Sequence, residues 1–76
     1  MVNRDTLLGI LYDVCPDLDF ERETSLIDDG LLESLDIVSI VTGIMDEFDV
    51  ELSVDDLLPE NFNSVDAMLD LIERKL

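Results

Sequence analysis

The chain contains no histidine and no tryptophan, one cysteine, two prolines, three glycines and only four basic residues among 76. Without histidine there is neither a Ser-His-Asp triad nor a Cys-His pair, and no serine or cysteine has a lysine nearby in sequence to take the base's place. One thiol and no imidazole leave zinc without its usual donors. The solitary Cys15 excludes an internal disulfide and gives no sign of an oxidising compartment. Arg4, Arg22, Arg74 and Lys75 lie near the ends and in one loop. Such scattered positive charge cannot build the cluster that a nucleic-acid backbone or an anionic membrane surface requires. No segment reaches transmembrane length, and residues 1–15 carry charges where a signal peptide has an apolar run. These absences point to a cytoplasmic, monomeric protein with no nucleic-acid partner and no stable membrane insertion.

What is abundant is acid. Twenty Asp and Glu residues give a net charge of −16, yet 47% of the chain is hydrophobic. That apolar share is ample for a globular core, and 76 residues suit a single small domain, 1–76. Excess negative charge destabilises the compact state by self-repulsion, keeps it soluble and steers basic partners toward it.

Hydrophobic periodicity reads as all-α. Asn3 caps a first helix over 4–15, which Pro16 ends, with Leu7, Leu11 and Val14 on one face and Leu8 and Cys15 beside them. Residues 16–33 lack helical spacing, but Leu18, Phe20, Leu26, Ile27, Leu31 and Leu32 would pin this long connection over the helices. A second helix runs 34–48, with the stripe Ile37, Val41, Ile44 and Phe48 widened by Val38 and Met45. Gly43 interrupts its interior, where a close backbone contact is one reason to lack a side chain. Ser53 caps a short helix, 54–58, closed by Pro59; Ser64 caps a last one, 64–75, burying Val65, Met68, Leu69, Ile72 and Leu76. The expectation is a small four-helix bundle of three longer helices and one short helix, with no strand. Val38, Val41, Ile44, Leu58, Met68 and Ile72 are assigned to its core.

Paired carboxylates mean little where twenty are present, and no catalytic role is assigned to them. Asp17, Asp19, Glu21, Glu23 and Asp28 approach the spacing of a calcium loop, but Arg22 stands where the turn needs glycine and Asp28 where a bidentate Glu should close it. No metal site is assigned. The sequence that stands out is Asp28-Asp29-Gly30-Leu31-Leu32-Glu33-Ser34-Leu35-Asp36, which sets one serine where the loop meets the second helix. A helix N-cap would by itself account for that serine, as it does for Ser53 and Ser64. Lacking a general base, Ser34 is suited to being modified by another enzyme rather than to attacking a substrate.

Residues Asp28 to Phe48 resemble the acyl carrier protein family, whose motif of acidic residue, serine, leucine and aspartate reads here Glu33-Ser34-Leu35-Asp36. Helical order, the long first loop, size and acidity extend the resemblance across the chain. It implies a non-enzymatic carrier in which a phosphopantetheinyl transferase attaches 4′-phosphopantetheine, taken from coenzyme A, to Ser34. The arm would hold acyl or aminoacyl groups as thioesters for loading and transfer enzymes with basic docking surfaces. Fatty-acid and other lipid synthesis, polyketides or other specialised metabolites, and D-alanyl transfer to the cell envelope or peptide synthesis are the pathways the resemblance offers. A different class, an unmodified acidic interaction module, also fits the composition. On the carrier reading Glu33, Leu35, Asp36, Asp46, Glu47, Asp55 and Asp56 are the docking residues. Glu33 replaces the aspartate usual before the serine, and Ser39 and Met45 stand where fatty-acid carriers often place glutamates. The Asp-Asp-Gly-Leu-Leu lead-in looks closer to D-alanyl carrier proteins and other stand-alone carriers.

Overall fold

A computed structural model describes residues 3–76; the first two positions lie outside the described residues. Four α-helices follow in order, α1 (Arg4–Val14), α2 (Ser34–Phe48), α3 (Pro59–Phe62) and α4 (Val65–Lys75), with a 3₁₀ turn at Val54–Asp56 and no strand among the described residues. Helix α1 packs against α2 and α4, and α3 against α4. The all-α bundle with its long first loop is therefore as the periodicity indicates.

Local chemistry explains the boundaries. Asn3 Oδ1 accepts the Asp5 and Thr6 backbone N–H groups at 2.8 and 3.4 Å, starting α1. Ser64 Oγ accepts the Ala67 N–H at 3.1 Å, starting α4. Helix α2 ends where Asp49 turns left-handed, with φ of 55°. Pro59 behaves differently from its expected role as a stop. The turn before it ends at Asp56, and Pro59 occupies the first position of α3, where its missing N–H has no helical partner to lose and its fixed φ suits the helix.

The core is assembled from Leu7, Leu8 and Leu11 of α1, Ile40, Val41 and Ile44 of α2, Phe62 of α3, and Val65, Met68, Leu71 and Ile72 of α4. The long loop contributes Phe20, Leu26 and Leu32 as buried side chains, so it is a packed layer, as its apolar punctuation indicates. Tyr12 meets Phe20 edge to face, with centroids 5.2 Å apart, joining this layer to α1. A Cβ at Gly43 would lie 2.7 Å from Ile10 Cγ2, so the glycine is what lets α1 approach α2 this closely.

Three core assignments are corrected. Val38 is 59% exposed and Leu58 45%, and Leu76 also faces solvent. Ile40 and Leu71, which the sequence reading passed over, are buried instead. In both α2 and α4 the buried stripe is rotated slightly from the expected one, because the neighbours on either side decide where its centre falls.

Candidate functional site at the start of α2

Ser34 is the first residue of α2 and not its cap. Glu33 holds the cap position, in an extended conformation. The Asp36 Oδ2 reaches back to accept the Glu33 backbone N–H at 3.1 Å, as the acidic third residue of a capping box does. The spacing could have revealed this: counting from Glu33, the third helical residue is Asp36, whereas counting from Ser34 it is the apolar Ile37. Ser34 is exposed, and among the described residues no partner holds its hydroxyl. That hydroxyl stands at the positive end of a 15-residue helix, whose first N–H groups and dipole favour an attached anion.

The approach to Ser34 is tightly constrained. The Leu26 N–H donates to the Asn63 carbonyl at 2.9 Å, and the Ile27 and Asp28 N–H groups donate to Asn63 Oδ1 at 2.9 and 3.0 Å. Asn63 Nδ2 donates in turn to Asp28 Oδ2 at 3.1 Å. The Leu26 carbonyl then accepts the N–H groups of Leu31 and Leu32 at 2.9 and 3.1 Å, closing a turn that Gly30 permits with φ of 71°. Leu32 lies two residues before the serine. Sequence reasoning missed Asn63, which is distant in the chain and carries no motif.

Beside the serine, Ile27, Ile37, Leu57, Leu58, Pro59 and Phe62 line an open apolar groove of about 50 Å³ between α2 and the 3₁₀ turn with α3. Ile37 is one helical turn along from Ser34. On the outer face of α2, Leu35 (79% exposed), Val38, Ser39, Thr42 and Asp46 follow one another at helical spacing, with Glu47 also exposed. Asp55 is exposed, whereas Asp56 is half-buried: its Oδ2 accepts the Ser53 N–H at 2.9 Å and pairs with Lys75 Nζ at 2.9 Å. Those two partners hold the Asp56 carboxyl below the usual aspartate range. Behind Ser34, half-buried Cys15 at the end of α1 faces the acidic start of α2. Burial first, then the Asp36 carboxylate, pushes its thiol up.

All four basic residues are used within the chain: Arg4 with Asp66, Arg22 with Asp19, Arg74 with Asp70 and Lys75 with Asp56. The acidic excess is thus unrelieved over the rest of the surface, while no group of three His, Cys, Asp or Glu residues that could hold a metal ion occurs among the described residues.

The arrangement joins an exposed serine at a helix start, an acidic surround and an adjoining apolar groove. Over 68 residues, 90% of this chain, it is 32% identical to "Aminoacyl carrier protein 1" of Bradyrhizobium diazoefficiens, covering 74% of that protein. The chain belongs to the acyl carrier protein family. It is also 41% identical over 54 residues to the "Acyl carrier protein" of Buchnera aphidicola subsp. Schizaphis graminum, and 36% identical over 54 residues to that of Buchnera aphidicola subsp. Acyrthosiphon pisum. Each match covers 71% of this chain; they span 66% and 65% of those two proteins, just under two thirds of their length. No family profile matches the chain, and no solved structure does. Carrier proteins of this kind are non-catalytic, and a serine without a base suits such a family. No helix among the described residues is long and apolar enough to cross a membrane.

Proposed function

We propose that the chain carries acyl or aminoacyl groups as thioesters on 4′-phosphopantetheine joined to Ser34, and delivers them to partner enzymes of lipid or specialised-metabolite synthesis. The observation that carries this reading is the exposed Ser34 hydroxyl on the first residue of α2, which has no partner among the described residues. A phosphodiester there would sit at the positive end of the helix, where the free N–H groups of the first turn favour an anion. The apolar groove lined by Ile37, Leu57, Leu58 and Phe62 adjoins Ser34. When attached, the group supplies a terminal thiol that keeps its cargo activated for transfer; the chain supplies a fixed pivot and a recognition surface.

Docking rests on Leu35 and Val38, two exposed apolar side chains on an otherwise polar face, framed by Glu33, Asp36, Asp46, Glu47 and Asp55. The apolar pair supplies contact area, and the acids steer a basic partner and let it leave again, since exposed charges bind modestly and are screened. Asp56 adds negative charge beside this face while its Oδ2 is engaged with Ser53 and Lys75.

An aminoacyl cargo is the second reading. The aminoacyl carrier relative aligns with more of this chain than the acyl carrier relatives do, and the groove, at about 50 Å³, is far smaller than the roughly 300–1,000 Å³ of typical ligand pockets. Intact-mass measurement after incubation with coenzyme A and a broad-specificity phosphopantetheinyl transferase tests the common core of both readings. A gain of one phosphopantetheine on the native chain, absent from Ser34→Ala, is the expected result. No gain on folded protein across several transferases would leave the acidic interaction module. Offering the loaded carrier to amino-acid-adenylating and fatty-acyl-adenylating enzymes then separates the cargoes by mass.

A further inference from the structure

We propose that Asn63 is a positioning residue for the modification of Ser34, acting through the turn at residues 25–32. This rests on the carrier reading above. Asn63 ends α3, immediately before Ser64 caps α4, and is 29 positions along the chain from the serine. Four hydrogen bonds connect it to three consecutive loop residues: its carbonyl holds Leu26, its side-chain oxygen holds Ile27 and Asp28, and its amide holds the Asp28 carboxylate. An asparagine satisfies both sides of this arrangement, since it offers an acceptor for two backbone donors and a donor for a carboxylate.

The restraint does not stop at Asp28. Leu26, whose side chain is fully buried, returns the turn on itself by accepting from Leu31 and Leu32, while Asp29 donates to the Ser25 carbonyl at 2.8 Å. Leu32 is itself buried. The backbone entering Ser34 is therefore fixed at Leu26 and Leu32; the main-chain carbonyl at position 63 holds Leu26, and the Asn63 side chain holds Ile27 and Asp28 directly after it. The reference point for the serine is the α3–α4 junction as well as α2. The same junction bears Phe62, which lines the groove, so the position of the arm's pivot and one wall of the groove are set by adjacent residues.

Asn63 touches neither the hydroxyl nor any reacting atom, so its effect falls on presentation. Misplacing a reacting group by a fraction of an ångström to an ångström lowers turnover rather than encounter. The test compares the native chain with Asn63→Ala, Asn63→Asp, Asp28→Asn and the double change Asn63→Asp with Asp28→Asn. The double change reverses the Asn63–Asp28 hydrogen bond and retains the acceptor for Ile27 and Asp28, so it restores every contact. Transfer of phosphopantetheine is followed by mass, and amide exchange at Ile27, Asp28, Leu31 and Leu32 is followed by NMR. Ile72→Val serves as a destabilised control that leaves all of these hydrogen bonds in place.

The expected result is a kcat for transfer lowered about tenfold in Asn63→Ala and Asn63→Asp with KM little changed. Faster exchange at those four amides accompanies it. Both effects are reversed in the double change and absent from Ile72→Val. Faster exchange with unchanged transfer kinetics would overturn the proposal and leave Asn63 a purely structural tie. Should Asn63→Ala not fold, Asn63→Asp, which sets two carboxylates face to face, against the double change carries the same comparison. No transfer to the native chain would refute the carrier reading itself, an outcome distinct from both.

Discussion

Lys75 in the last turn of α4 closes on Asp56 in the 3₁₀ turn, with Nζ and Oδ2 2.9 Å apart. Around this pair, Arg74 donates to Asn61 Oδ1 at 3.1 Å and Asn61 Nδ2 donates to the Asp56 carbonyl at 2.9 Å. The end of the chain is thereby tied to the segment that forms one wall of the groove.

That tie sets a pH dependence. The Ser53 backbone N–H and the Lys75 ammonium hold the folded Asp56 carboxyl below the ordinary aspartate value, so the unfolded chain binds its proton first as pH falls. The contribution is complete above the ordinary value and disappears as pH drops through the folded one. Asp56→Asn should therefore lower Tm near neutrality, and the deficit should shrink below about pH 4. Melting curves across that range check it; a deficit independent of pH would assign the loss to packing.

Because Ser34 is not a cap, Ser34→Ala should abolish modification while changing stability by less than about 0.5 kcal/mol. Asp36→Ala removes the acceptor for the Glu33 N–H and a charge at the positive helix end, and should cost about 0.3–1 kcal/mol. Urea denaturation of the two variants side by side gives the order.

The glycines of α1 and α2 should respond with opposite signs. Nothing lies within 4 Å of a Cβ at Gly9, so Gly9→Ala should stabilise by about 0.5–1 kcal/mol. At Gly43 the new methyl meets the branched Ile10 side chain, and overpacking typically costs about 1–3 kcal/mol, more than the helix gains. Gly43→Ala should destabilise, and part of that loss should be absent when measured in an Ile10→Ala background.

Cys15 should alkylate slowly. Burial and the Asp36 carboxylate beside it favour the thiol over the thiolate. Asp36→Asn should speed its reaction with iodoacetamide at pH 8. By linkage, the folded state keeps the proton longer, so this group's stabilising contribution is present below the ordinary thiol value and falls as pH rises through it.

The outline of the site was legible because its parts are adjacent in the chain. Glu33-Ser34-Leu35-Asp36 lies in one stretch, and Asp28-Asp29-Gly30-Leu31-Leu32 leads straight into it. What escaped were features made of distant residues. Val38 and Leu58 have the apolarity of core residues, and only the placement of the neighbouring elements leaves them facing out. Pro59 is a helix stop and a helix start by the same chemistry, and which applies depends on where the chain turns next.

The sequence by itself determined an acidic all-α carrier with a candidate attachment serine, because helical periodicity, net charge and a contiguous motif are properties of the chain before it folds. The tertiary structure decided that Glu33 and not Ser34 caps α2, that Lys75 answers Asp56, and that Asn63 holds the turn before the serine. A hydrogen bond spanning 35 or 36 residues depends on how the helices pack, and no local pattern encodes that packing.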